Sequence, residues 1–183
     1  MATQTRPVTY DDYRILPDDG NQYQIIGGEL IMAASPTMIH QLILGRLFTL
    51  TNDYVEKHDL GTIILPPADV VLSMTNVVQP DLMYISHERE DIIAENNVVE
   101  APDLVVEILS PATRTMDQTS KKNLYQRYGA GEYWIVDPNE KAIVQFILQE
   151  EIFELIDKFN SSQTLASSVL EGFSLPVGKV FSN

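Results

Sequence analysis

Apolar and polar positions follow two different rhythms along this chain. Gln22–Ile26 and Glu29–Ala33 are short apolar runs joined by Gly27–Gly28, a dipeptide suited to the positive φ of a tight hairpin. After Ser35–Pro36 the spacing lengthens. Ile39, Ile43, Leu47, Leu50 and Tyr54 recur every three or four residues and predict a helix with one buried stripe. Ser35 is placed to cap that helix and Pro36 to occupy its first position. Thr62–Leu65 and Asp69–Leu72 return to strand-like runs on either side of Pro66–Pro67, and the residues up to about Pro17 read as an arm with a short helix near Thr9–Arg14.

The middle of the chain carries the strongest strand signals. Pro80–Ser86 (PDLMYIS) is followed by an acidic connection from Glu88 to Glu100, and then by Asp103–Leu109 (DLVVEIL), which Ser110–Pro111 terminates. A helix is predicted over Asp117–Tyr128, ended by Gly129 and Gly131, and then a strand over Glu132–Asp137 (EYWIVD) stopped by Pro138. Lys141–Gln149 and Ile152–Phe159 predict a β pair, and the tail from Ser161 includes SLPVGKVF. Strands and helices alternating in this way predict an α/β fold around one mixed sheet. The 183 residues suit a single domain, 1–183, with an N-terminal arm of about residues 1–20, and 44% hydrophobic residues suffice for one core.

Composition removes several classes of chemistry. The chain has no cysteine, so a disulfide framework, a thiolate zinc site and a cysteine nucleophile are all excluded. No run of about 18 apolar residues occurs, so no membrane span is expected. The opening MATQTRPVTYDDY lacks the basic start and apolar stretch of a signal peptide, and a cytoplasmic location is expected. With 26 acidic and 12 basic side chains the net charge is −14, whereas a protein that neutralises phosphates ordinarily presents a basic face. Arg114, Lys121, Lys122 and Arg127 nevertheless form a local basic strip opposed only by Asp117.

Glu107 lies in a strand otherwise made of Leu, Val and Ile, where an unpaired charge is costly, so it needs a cation, donors or a metal. Asp103 shares its face, but four residues of strand separate the two by roughly 13 Å, too far for one ion. A second carboxylate must come from a neighbouring strand, and Asp81, at the start of PDLMYIS, is the natural candidate. Lys121 stands four residues after Asp117 and four before Tyr125, so all three project from one helix face and could fold back toward the carboxylates. Two carboxylates, a hard divalent metal and a lysine are a working set for phosphodiester hydrolysis.

The ordered segments QPDLMYIS, DLVVEILSP and DQTSKKNLYQRYGAGEYWIVDP, preceded by GGELIMAASPTMIH and followed by FSLPVGKVF, resemble a large bacterial restriction-endonuclease-like family, a domain of unknown function within the PD-(D/E)XK nuclease superfamily. The resemblance covers roughly Tyr23 to Asp137. It implies a restriction-endonuclease-like fold, a central mixed β-sheet flanked by helices. It also implies an endonuclease that uses Mg²⁺ or Mn²⁺ to hydrolyse nucleic-acid phosphodiesters, with DNA the expected substrate. On it, Asp81 and Glu107 are metal ligands, the Ile108 carbonyl is a further ligand, and Lys121 is the active-site lysine. The residue two after Glu107 is Leu109 rather than the superfamily's lysine, so the charge would come from the following helix. Gln24 stands where the family often has an acid. His40 gains weight from the resemblance as a supporting residue.

Blander readings stand beside these. Asp81 alone could be a turn carboxylate, Glu107 half of a metal-free ion pair with Lys121, and Lys121 a solvated helix residue. Glu29 and Asp69 could reach the site from their strands or alternate outward. Asp117 is expected to cap its helix and orient Lys121, Lys122 and Arg127 to lie at the surface, and Tyr133 and Trp134 to lie in the core. Two further function classes remain: a catalytically degenerate binding module, and a nuclease subunit whose partner brings the DNA. A homodimer would suit an enzyme that cuts two strands. A basic rim around the Lys121 helix would favour independent DNA binding.

Overall fold

The computed structural model describes residues 6–17, 19–32 and 35–182. The chain opens with α1 (Tyr10–Tyr13), then forms the expected hairpin from β1 (Tyr23–Ile26) and β2 (Glu29–Met32). Ala33, the expected end of that hairpin, lies outside the described residues. Gly28, at φ +81°, accepts a backbone bond from Val8 and leaves no room for a Cβ, which would sit 2.6 Å from Pro7. The N-terminal arm is thereby seated against the hairpin turn.

The long helix α2 (Met38–His58) begins two residues later than the sequence predicts. Its cap is Thr37, whose hydroxyl accepts from the His40 amide at 3.2 Å, rather than Ser35. Its buried face is His40, Ile43, Leu44, Leu47, Thr51 and Val55, while the predicted stripe member Ile39 is 60% exposed. The stripe is displaced because two of its members are polar. Thr51 satisfies its hydroxyl on the Leu47 carbonyl at 2.8 Å, so it packs inward without cost to its hydrogen bonding.

β3 (Gly61–Ile64), β4 (Val70–Ser73), β5 (Asn76–Val78), β6 (Leu82–Ser86) and β7 (Leu104–Ile108) follow. The connection after β7 holds one continuous helical run: α3 (Arg114–Met116), a π-helical turn (Asp117–Lys121) and α4 (Lys122–Arg127). β8 (Glu132–Asp137), β9 (Ala142–Gln149) and β10 (Ile152–Asn160) complete the larger sheet, and β11 (Thr164–Ala166), β12 (Ser174–Pro176) and α5 (Gly178–Phe181) close the chain. The six-stranded sheet runs β10-β9-β8-β7-β6-β3, with β7 and β8 its parallel pair and all other neighbours antiparallel. The hairpin and the Asp69–Leu72 run do not join it as a single mixed sheet would require. They form a second, antiparallel sheet in the order β2-β1-β5-β4. Three-residue β5, too short to show a period, is the strand that joins them.

Alternation along the central strands assigns the two faces of the large sheet. Leu82, Tyr84, Leu104, Val106, Ile108, Trp134 and Val136 pack on α2 and the C-terminal residues Leu165 to Val180. Met83, Ile85, Val105, Leu109, Tyr133 and Ile135 pack on Tyr125 of α4 and on the second sheet through Val70, Leu72 and Val78. Glu132 is fully buried without a cation. Its carboxylate accepts instead from Trp134, Gln145, Ser167, Ser168 and the Val169 amide, tying residues 167–169 to β8. Among the described residues, no helix is long and apolar enough to cross a membrane.

Candidate active site

The β6–β7 ladder pairs Leu82 with Val106, Met83 with Val105 and Tyr84 with Leu104. One step further in that register sets Asp81 opposite Glu107, on the face that α4 covers. The next step would set Pro80 opposite Ile108, and proline has no N–H to give the Ile108 carbonyl. The Ile108 amide, for its part, donates to Asp81 Oδ2 at 2.7 Å. The same oxygen lies 3.1 Å from His40 Nε2, presented by the first turn of α2. Sheet pairing therefore ends where the carboxylates begin.

Glu107 is 2% exposed. Its Oε1 accepts from Lys121 Nζ at 2.9 Å and from the Tyr125 hydroxyl at 2.7 Å, and Oε2 takes part in neither bond. Burial pushes its carboxyl up to about 8 against the opposing pull of Lys121, and the charges of Asp117 and Asp81 push the same way. For Lys121, burial acts to lower the pKa, but Glu107 and Asp117 outweigh it and hold the ammonium above its ordinary value. Burial and the Glu107 charge raise the Tyr125 phenol well above its usual range, so it stays a donor.

The helical run places Asp117, Lys121 and Tyr125 together. A four-residue step over-rotates an α-helix by about 40°. The wider π turn between Asp117 and Lys121 takes up that drift, and both side chains are buried on the side facing β7. Asp117 does not cap the helix as expected, because the helix already starts at Arg114. Its carboxylate sits 3.6 Å from Lys121 Nζ, beyond hydrogen-bond reach, and its buried Oδ1 has no partner. Burial raises its pKa.

Asp81, Glu107, Ile108, His40, Asp117 and Lys121 line a pocket of about 180 Å³, with Gln22, Gln24, Gln79, Ser110 and Thr113 among its other walls. Four buried side-chain polar atoms lack a partner among the described residues, and three of them, His40 Nδ1, Gln79 Oε1 and Asp117 Oδ1, belong to residues of this pocket. Buried polar groups are ordinarily paired, so their concentration here marks a place built for a ligand or ordered water.

Asp81, Glu107, Ile108, Lys121, Asp117, Tyr125 and His40 are thus brought together. Glu29 is not: it lies exposed on β2, away from the pocket. Asp69 stands behind the pocket wall, accepting from Tyr13 Oη and from Gln79 Nε2, both at 2.8 Å. Gln79 itself, whose amide N–H donates to Gln24 Oε1 at 3.1 Å, was not legible as a site residue, since a lone glutamine before Pro80 carries no chemical signature. Lys122 is held over the Phe146 ring, 3.9 Å from its centroid, rather than at the free surface.

A central mixed sheet flanked by helices, with a helical β7–β8 connection, is a restriction-endonuclease-like fold. A crystal structure from Anabaena variabilis ATCC 29413, described as a "putative nuclease belonging to DUF820", superposes with a TM-score of 0.80 at 21% identity, over 96% of this chain and 98% of that one. The profile of the Uma2 family, described as "Putative restriction endonuclease", matches residues 10–178, and the chain belongs to that family. Comparison with curated proteins gave no match.

Proposed function

We propose that this chain is a nuclease that hydrolyses phosphodiester bonds of nucleic acid, DNA foremost, with Mg²⁺ or Mn²⁺ held by Asp81, Glu107 and the Ile108 carbonyl. The observation that carries this reading is the excess of acid over base at the pocket. Asp81, Glu107 and Asp117 face a single ammonium, and beside the burial that raises the Glu107 carboxyl most, the charges of Asp117 and Asp81 push it the same way. A divalent cation would relieve that imbalance. Two carboxylates and one carbonyl suit Mg²⁺, which keeps several of its waters. Among the described residues no three His, Asp or Glu side chains gather into a metal-holding group, so the proposed site rests on two carboxylates and one carbonyl.

When bound, the metal supplies Lewis-acid polarisation of the phosphoryl group. The chain's own residues do the rest. His40 and the Ile108 amide fix Asp81 through Oδ2. Tyr125 and Lys121 fix Glu107 through Oε1, and Lys121 brings positive charge to the developing phosphorane oxygens. Hydrolysis forms one P–O bond to the oxygen of water and breaks one to a sugar oxygen, with the water's proton balanced by protonation of the leaving oxygen.

The surrounding charge favours a second reading of how the substrate arrives. Arg114 is held by Asp137 at 2.8 Å, Lys121 by Glu107, Lys122 by Phe146 and Arg127 lies over Tyr128. The pocket walls beyond the proposed catalytic groups are amides, hydroxyls and the apolar Pro36, Leu44 and Pro66 rather than cations. This supports a nuclease subunit whose phosphate-binding surface comes from a separate basic partner.

Calorimetry with Mg²⁺ and Mn²⁺ on the parent and on Glu107→Ala, with Mn²⁺-supported nicking of plasmid DNA alongside, tests the reading. Binding and nicking that disappear together in the variant support it. No binding in the parent, with the variant losing only stability, would make Glu107 a structural ion-pair residue and the chain a degenerate binding module.

A further inference from the structure

Among the described residues, Asp117 is the one carboxylate of the pocket with a buried oxygen that no hydrogen bond reaches. Asp81 accepts from the Ile108 amide and meets His40, and Glu107 accepts from Lys121 and Tyr125. Asp117 is 1% exposed, its Oδ1 has no hydrogen-bond partner, and the nearby ammonium of Lys121 is committed to Glu107 instead. Leaving a buried carboxylate oxygen without a donor is costly, so the fold that retains one requires a donor to come from the pocket. The pocket of about 180 Å³ has room for ordered water there.

The position of that oxygen is set by backbone rather than by chance of rotamer. The π turn swings Asp117 into line with Lys121, and the Tyr133 hydroxyl pins the Asp117 carbonyl at 2.9 Å from below. The peptide carrying Asp117 is therefore held from the core while its side chain faces the pocket. At 3.6 Å from Lys121 Nζ, Asp117 acts on the ammonium through its charge and leaves Oδ1 free to accept a hydrogen bond.

We infer that Asp117 orients the attacking water, accepting its hydrogen bond at Oδ1 beside the Lys121 ammonium. This rests on the nuclease reading of the same pocket. It assigns Asp117 to the nucleophile and leaves the metal to Asp81, Glu107 and Ile108, so metal affinity and turnover should separate at this residue.

The test uses Asp117→Asn, which keeps the shape, and Asp117→Ala, which leaves a hole. Each is measured for Mn²⁺ affinity by calorimetry, for melting temperature, and for kcat and KM in plasmid nicking. The expected result is a Kd for Mn²⁺ within about twofold of the parent, an unchanged or higher melting temperature, and kcat lower by ~100-fold or more at unchanged KM, the size of a lost water-positioning group. Added formate should restore part of the turnover of Asp117→Ala by placing a carboxylate in the hole, which a purely structural role would not allow. Parent-like turnover in both variants overturns the assignment, and so does a joint loss of metal affinity and turnover, which would make Asp117 a ligand. A parent that binds Mn²⁺ but does not nick, or that binds no metal, overturns the nuclease reading itself and this inference with it.

Discussion

Asp81 and Glu107 stand opposite each other across β6 and β7, one residue beyond the last ladder pair, Leu82 and Val106. Cross-strand neighbours bring their Cβ atoms to within about 5.5 Å, so two carboxylates here would repel unless something positive lay between or beside them. Lys121 supplies one positive charge, bonded to Glu107 and 3.6 Å from Asp117. The sheet thus delivers both acids to one point and leaves a charge imbalance at its end.

Removing Asp81 should loosen both the ligand set and the strand end. In Asp81→Ala the Ile108 amide loses its acceptor, so its hydrogen exchange should accelerate while the rest of β7 stays protected. Nicking should vanish with metal binding. His40→Ala should be milder, weakening Mn²⁺ binding by about tenfold through a less well-held Asp81. Calorimetry beside amide exchange checks both, and an Ile108 amide that exchanges no faster in Asp81→Ala would contradict the assigned contact.

The neighbouring lysines should behave differently despite being adjacent. Lys121→Ala strips the buried Glu107 of its cation and should lower both turnover and stability. Lys122→Ala removes a contact with the Phe146 face, worth about 1 kcal/mol, and should leave turnover near the parent's. Nicking rates and denaturant midpoints of the two variants decide it; a larger catalytic loss at Lys122 would mean that the wrong face of the helix has been assigned to the site.

Glu107 sets a direction for pH dependence in the absence of metal. Its carboxyl moves from an ordinary 4.5 to about 8, chiefly through burial, so the folded state holds the proton more tightly than the unfolded one. Its contribution to stability is fully present below about 4.5 and is lost as pH rises through about 8. Between pH 5 and 9 the melting temperature of the parent should fall relative to that of Glu107→Gln. Mg²⁺ favours the ionised form, so its stabilising effect on the parent should grow over the same range. Parallel melting curves for parent and variant would remove Glu107 as the source.

Glu132 should prove a stability residue with no part in turnover. It accepts from Trp134, Gln145, Ser167, Ser168 and the Val169 amide, all of which Glu132→Leu would leave without it. A loss of about 3 kcal/mol or more is expected in denaturant unfolding, with nicking per folded molecule unchanged. A smaller loss would mean that residues 167–169 are held mainly by the packing of Leu165, Leu170 and Phe173.

The central strands and the grouping of Asp81, Glu107, Lys121 and Tyr125 were legible in the sequence because each broke a local rule. A glutamate amid Leu, Val and Ile demands a partner, and a lysine spaced four residues from both an aspartate and a tyrosine offers one. What stayed hidden broke no rule. Gln79 is an unremarkable amide until Asp69 takes its Nε2 and leaves its Oε1 buried and unpartnered. The buried face of α2 was misplaced by one position because His40 and Thr51 are polar residues that the structure pairs or satisfies locally. The separate sheet escaped because four-residue strands such as β1 and β4 look alike whichever sheet they join.

The π turn at Asp117–Lys121 makes the site a matter of chain length as much as of side-chain identity. A π turn holds one residue more than the α turn it replaces, so shortening the loop of backbone between Asp117 and Lys121 by one would regularise the helix and rotate everything before it by about 100°. Asp117 would leave the pocket while Lys121 and Tyr125 stayed. Every residue type named in the site would still be present, and a composition or motif count would register no loss. In this architecture a one-residue deletion would therefore take Asp117 out of the pocket as surely as substituting it, with every side chain of the site still in the sequence.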